Sequence, residues 1–292
     1  MSAMFHALPQ GIRRAALSTP RGEFSTLQGE PASTARATVL LLPGYTGSKD
    51  EFIPLLAPLV RARYRVIAVD GRGQDGTPGP ASEVAYRQEA LARDVIAQAE
   101  ALGARVHLLG HSMGGHVARA AVLTDHRPFV SLTLLSSGPG RVGQARQLQL
   151  ELLLGALKSM TMQEVWDVMQ RVRPAARADA EYLRERWLRT NPTQLLVTGA
   201  QLLSEPDRTT DLGAVTLPKH VIHGDADDTW ETVDLRDMAH RLNARHTVVA
   251  DAQHSPNLQQ PAATAAALTG YWDTLPPVLP DSTRSFFAAQ CP

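Results

Sequence analysis

The stretch Val106-His107-Leu108-Leu109-Gly110-His111-Ser112-Met113-Gly114-Gly115 constrains this chain more than any other. A short apolar run ends on a glycine-flanked serine, and a helical pattern is expected from about His116. Strand, sharp turn and helix, in that order, form the setting in which the serine of a G-x-S-x-G motif stands on a strained turn. Its hydroxyl is then held clear of the sheet edge. Gly110 and Gly114 lie two places either side of Ser112. A side chain at either place would collide with the neighbouring strand or helix. Outside that setting the same letters make an ordinary Gly/Ser turn.

The rest of the chain has to supply a sheet around that serine. With 292 residues, 43% hydrophobic and 20% charged, it has material for one large globular domain carrying an inserted subdomain. Lysine plus arginine equals aspartate plus glutamate at 29 each, with the arginines scattered, so neither nucleic acid nor an anionic membrane is an expected partner. The single cysteine, Cys291, excludes an intramolecular disulfide and fits a reducing compartment. Residues 1–14 lack the continuous apolar core of a signal peptide, and no run reaches the length of a membrane span. A cytoplasmic location without integral membrane contact is expected.

Residues 12–27 read as a hairpin around Thr19-Pro20-Arg21-Gly22. Thr38-Val39-Leu40-Leu41-Leu42 reads as a strand buried on both faces. Ser48-Lys49-Asp50-Glu51 fits a capping box ahead of helically spaced Phe52, Leu55, Leu56 and Leu59. A strand over 65–70, a Gly/Pro-rich loop over 71–80, a helix over 82–102, the serine strand and its helix, and a strand over 130–135 follow. This alternation implies a mostly parallel sheet with helices on both faces. It breaks over 141–211, where helical patterns alone occur, including a second capping box at Thr161-Met162-Gln163-Glu164. It resumes with strands over 219–224 and 246–250, a helix over 231–242 between them, and a closing helix over 259–272. The expected organisation is a core of 1–140 and 212–292 with a helical cap over 141–211, and an aperiodic tail from 275.

A serine hydroxyl is a weak nucleophile at neutral pH and needs a base, itself oriented by a third group. The loop after the strand ending at His223 offers Asp225, Asp227 and Asp228 as that third group. His254 lies on the loop after the last strand, in Ala252-Gln253-His254-Ser255-Pro256-Asn257. The other histidines have bland readings: His107 and His220 in or beside strands, His111 and His116 as packing around the serine turn, His223 as a shaper of the acid loop.

These segments resemble those of the α/β-hydrolase fold, which runs serine, acid, histidine along the chain. Gly224-Asp225-Ala226-Asp227 is similar to the family's G-x-x-D segment, whose last residue is the triad acid, and so selects Asp227. The resemblance implies Ser112 as nucleophile and His254 as base. It implies an oxyanion hole made by the backbone N–H groups of Met113 and Tyr45. Leu42-Pro43-Gly44-Tyr45-Thr46-Gly47-Ser48 resembles the family's H-G-x-x-G-S loop, with Pro43 where histidine is usual. Asp70-Gly71-Arg72-Gly73-Gln74-Asp75-Gly76 is similar to its D-x-R-G-x-G segment and reads as structural. The elbow is similar to that of carboxylesterases and monoacylglycerol-lipase-like enzymes. The implied activity is hydrolysis of an apolar carboxylic ester, some of the cap's leucines, methionines and tryptophans lining an acyl pocket and half or more of them forming the cap's own core. The same pattern serves carbon–carbon bond hydrolases, thioesterases, cofactor-free perhydrolases and binding proteins on this scaffold. No dinucleotide or phosphate fingerprint follows a first strand, so no cofactor is expected. A metal at Asp225, Asp227 and Asp228 is not expected, because the alternating ligand pattern of a calcium loop is missing.

Overall fold

The computed structural model describes residues 8–172, 174–176 and 178–277. Most of the expected tail, with Cys291, falls outside the described residues.

The strands are β1 (Ile12–Thr19), β2 (Gly22–Gly29), β3 (Ala37–Leu42), β4 (Tyr64–Val69), β5 (Val106–His111), β6 (Phe129–Leu135), β7 (Lys219–Gly224) and β8 (Arg245–Val249). They form one sheet in the order β1-β2-β4-β3-β5-β6-β7-β8. β1 pairs antiparallel with β2, and β2 antiparallel with β4. Every pairing from β4 through β8 is parallel. The helices are α1 (Ile53–Arg61), α2 (Gln88–Ala101), α3 (Met113–Thr124), α4 (Gln144–Ser159), α5 (Met162–Val172), α6 (Ala180–Arg189), α7 (Pro192–Ser204), α8 (Thr209–Gly213), α9 (Thr232–Arg241), α10 (Pro256–Gln259) and α11 (Pro261–Trp272).

The continuous apolar strands follow from burial on both faces. In β3, Val39 and Leu41 pack with α1 and α11, while Leu40 and Leu42 face α2 and α3. Val39, Leu40 and Leu41 are fully buried, and each such side chain contributes about 1.5–3 kcal/mol. The helices α4 to α8 occupy the interval between β6 and β7, as the helical patterns over 141–211 require. The short α8 packs on α3 and α9. Among the described residues no helix is long and apolar enough to cross a membrane.

Four local expectations need correction. The helix expected over 82–102 is a 3-10 turn at Glu83–Tyr86, then α2, because Arg87 between them is extended at ψ 147°. The closing helix expected over 259–272 is α11, which starts two residues later at Pro261, and the separate short helix α10 precedes it. The helix after the serine begins at Met113, three residues earlier than its apolar spacing indicates. The capping box at Ser48 is half formed. Ser48 accepts from the Asp50 N–H at 3.3 Å, but the Glu51 carboxylate turns away to a tertiary partner. At Thr161 both halves form: Glu164 accepts the Thr161 N–H at 2.8 Å, and Thr161 Oγ1 accepts the Glu164 N–H at 3.3 Å.

Candidate active site

Ser112 lies between the end of β5 and the start of α3 at φ 55° and ψ −121°, a left-handed conformation costing a non-glycine residue about 1–3 kcal/mol. Its own N–H donates to the Leu135 carbonyl at 2.9 Å, which ties the turn to β6. The flanking glycines are sterically required. A Cβ on Gly110 would stand 2.2 Å from the Gly114 carbonyl oxygen, and one on Gly114 would stand 2.5 Å from the carbonyl oxygens of Leu42 and Pro43. Those neighbours are backbone and cannot rotate aside.

Three loops at the carboxyl ends of β5, β7 and β8 bring Ser112, Asp227 and His254 together. His254 Nε2 lies 2.9 Å from Ser112 Oγ, and His254 Nδ1 lies 3.2 Å from Asp227 Oδ1 and 3.4 Å from Oδ2. Asp227 Oδ1 also accepts the Thr229 N–H at 2.9 Å, so one loop supplies both the acid and its support. Burial opposes ionisation of Asp227, but the His254 hydrogen bond and charge, with the Thr229 N–H, hold its carboxyl below the usual range. Burial pushes the His254 imidazole down, and the nearby His111 and Arg146 push the same way against Asp227. A neutral ring facing a serine hydroxyl on one nitrogen and a carboxylate on the other can receive the serine's proton.

Asp225 does other work, accepting the N–H groups of Asp251 and Ala252 at 3.1 and 3.2 Å and so binding the acid loop to the His254 loop. Asp228 is exposed at the cleft. Ligand atoms of Asp227, Asp228 and His254 do fall within 4.8 Å of one another. Both His254 nitrogens already have partners, Ser112 on one side and Asp227 on the other.

Met113 opens α3, and the first N–H groups of a helix have no partner within it. Among the described residues the Tyr45 N–H has no acceptor either. It belongs to the tight turn that the Gly47 N–H closes on the Gly44 carbonyl at 3.2 Å. Pro43 provides no side-chain hydrogen bond to this loop, and the support comes from elsewhere. Glu51 Oε1 accepts the Gly44 N–H at 3.2 Å, and Gln74 Nε2 donates to the Gly44 carbonyl at 2.9 Å. The Tyr45 hydroxyl donates to the Leu195 carbonyl of α7 at 2.7 Å.

Ser112 and His254 open into a cleft of about 410 Å³ lined by Tyr45, Leu183 and Leu258 and by the cations Arg146 of α4 and Arg186 of α6. A smaller arm of about 80 Å³ runs between Val142, Leu150, Leu153 and Leu202. The apolar side chains of the insertion are divided between the cleft and the core. Leu150, Leu153, Leu183 and Leu202 reach the cleft, whereas Trp166 and Trp187 are buried in the core, against which Met160, Met162 and Met169 also pack. The Trp187 indole N–H donates to the Met162 carbonyl at 2.7 Å. Glu51, Gln74, Arg146 and Arg186 carried no local motif that marks a site, and only the tertiary fold brings them here.

The sheet order, the strained serine turn and the placement of the loops define an α/β-hydrolase fold. Residues 39–267 match the Alpha/beta hydrolase family, and the chain belongs to that family and is an enzyme of the hydrolase class. It is 28% identical over 219 residues to a pimeloyl-[acyl-carrier protein] methyl ester esterase of Aeromonas hydrophila, covering 70% of this chain and 84% of that one. It is 30% identical over 217 residues to a 2-hydroxy-6-oxononadienedioate/2-hydroxy-6-oxononatrienedioate hydrolase of Cupriavidus pinatubonensis, covering 68% and 73%. A shorter match, 37% identical over 100 residues to a Variovorax paradoxus protein, spans only 37% of that protein. The structure of an esterase from Exiguobacterium antarcticum shares the fold at TM-score 0.74 and 18% identity, covering 90% of this chain and all of that one at 100%.

Proposed function

We propose that this chain hydrolyses carboxylic esters through an acyl-enzyme formed on Ser112. The reading rests on the His254 ring, which lies within hydrogen-bond reach of Ser112 Oγ on one side and Asp227 on the other. Ser112 Oγ attacks the ester carbonyl carbon as His254 Nε2 takes its proton. The oxyanion is met by the N–H groups of Tyr45 and Met113, and Asp227 stabilises the imidazolium. Collapse of the tetrahedral species expels the alcohol, which leaves with the proton from His254. Water then attacks the acyl-serine by the same route and releases the acid. The core is 1–140 and 212–292, and the helices within 141–211 roof the cleft. Arg146, Leu150 and Leu153 from α4 and Leu183 and Arg186 from α6 support this division, since all line it. The substrate is a small molecule, with its apolar part in the leucine-lined arm, and the expected location is cytoplasmic.

The test is turnover of p-nitrophenyl esters of graded chain length, with fluorophosphonate labelling. Ser112→Ala is expected to lower kcat/KM by about 10⁴-fold or more and to abolish labelling. Wild type that neither turns over esters nor is labelled at Ser112 overturns the reading. A second reading, carbon–carbon bond hydrolysis, is favoured by one observation. Arg146 and Arg186 line the cleft, and the Cupriavidus relative is named for a dioate, a doubly acidic substrate. Product analysis on an ester and on a diketone dicarboxylate separates the two.

A further inference from the structure

His111 precedes Ser112 and is almost entirely buried, yet both its ring nitrogens have close polar partners. Nδ1 lies 2.7 Å from Glu51 Oε1, and Nε2 lies 2.9 Å from the backbone carbonyl oxygen of His254. A carboxylate and a carbonyl both accept. A neutral imidazole has one N–H and satisfies one of them, so satisfying both needs the doubly protonated ring. Glu51 Oε1 receives a second donor, the Gly44 N–H at 3.2 Å, and the Glu51 carbonyl accepts from Asn257 Nδ2 at 2.9 Å. One buried pair thus touches the loop before Tyr45, the serine turn and the loop that carries His254.

We propose that Glu51 and His111 form a buried ion pair that positions the catalytic parts, His111 holding the backbone of His254 over Ser112 and Glu51 holding Gly44 so that the Tyr45 N–H faces the oxyanion. Both are positioning residues, since neither touches the reacting atoms. The pair takes over the loop support that Pro43 cannot give. Burial opposes charge on His111, but Glu51, the His254 carbonyl and Asp227 together raise its proton affinity above that of a free imidazole. The groups facing His254 are Ser112 on the turn, Asp227 and the exposed Asp228 on the acid loop, His111 on β5 and Arg146 on α4, with the Trp230 ring 5.9 Å away. His111 and Arg146 both carry a charge that a single substitution removes without breaking the relay, and His111 is distinguished by its hydrogen bond to the His254 carbonyl.

The inference rests on the reading of Ser112 and His254 as nucleophile and base, and its test has an arm independent of turnover. Nitrogen-15 NMR of the full chain at pH 7 is expected to show the His111 ring with both nitrogens protonated, and Glu51→Gln is expected to return it to a neutral ring. In kinetics, His111→Gln is expected to lower kcat by about 100-fold, the scale of an ångström of misplacement, with KM within about twofold. The acid limb of kcat/KM moves to higher pH, because a positive neighbour of His254 is gone. Glu51→Gln serves as the second variant, with circular dichroism checking that each folds. Fluorophosphonate labelling of Ser112 is expected to slow in parallel, and it reads the same geometry if no ester turns over. A neutral His111 ring in wild type overturns the proposal, as does a folded His111→Gln with wild-type labelling rate and unshifted acid limb.

Discussion

At the scale of single residues, Ser112, Asp227 and His254 were legible because each sits on its own loop after a strand, in a fixed order along the chain. Glu51 and His111 were not. Glu51 stands three places after Ser48, where a capping partner belongs, and nothing local indicates that His111, 60 positions on, competes for its carboxylate. The tertiary partner prevailed over the local cap, as expected where a charge must be met inside the protein. Two outcomes belong here. Burial, His111 and Arg146 depress the His254 imidazole, so the proposed base stays neutral to lower pH than a free ring. The acid limb of kcat/KM is therefore expected below about pH 6.5, and a midpoint at or above that value contradicts this environment. Gly114→Ala drives a Cβ to 2.5 Å from two backbone carbonyl oxygens in the loop before Tyr45. The loop must move, so kcat is expected to fall by about 10²-fold or more, measured alongside the melting temperature.

At the scale of elements, the strands were legible wherever an apolar run was buried on both faces. Helix boundaries were less so. The break at Arg87 lies inside a continuous helical pattern, and α3 starts as soon as the strained serine has turned the chain. The tryptophans of the insertion could not be divided between core and cleft by spacing alone, because both faces of α5 and α6 admit apolar side chains. A buried pair also joins elements that the sequence keeps apart. Arg119 of α3, fully buried, donates to Glu205 Oε1 at 2.7 Å and to the Pro139 carbonyl at 2.7 Å. Gln88 of α2 donates to Glu205 Oε2 at 2.8 Å. Glu205→Ala leaves a buried guanidinium without its counter-charge and is expected to cost about 3–5 kcal/mol, read by urea denaturation. A loss below about 1 kcal/mol would mean that water or another acceptor reaches Arg119.

At the scale of the molecule, several histidines are buried neutral. Burial pushes His107 down to about 4 and His220 down to about 3. Between pH 6.5 and these values the unfolded chain binds protons that the folded chain refuses, so stability falls as pH falls. His107 alone accounts for roughly 3 kcal/mol by pH 4. Asp70 acts in the opposite sense, since burial pushes its carboxyl up to about 6, but it is one group against several. Urea midpoints are expected to drop steadily from pH 7 to pH 4.5, and a flat profile would show that these rings are solvated. The detour from β6 to β7 has a separate consequence. These strands are immediate neighbours, Leu132 pairing with Lys219, although five helices intervene among the described residues. The excursion departs and returns at one seam of the sheet, so a replacement cassette of different length or shape demands no new strand pairing. An exchanged cassette is therefore expected to leave the strand order intact, provided that it keeps Glu205 for Arg119 and an acceptor for the Tyr45 hydroxyl.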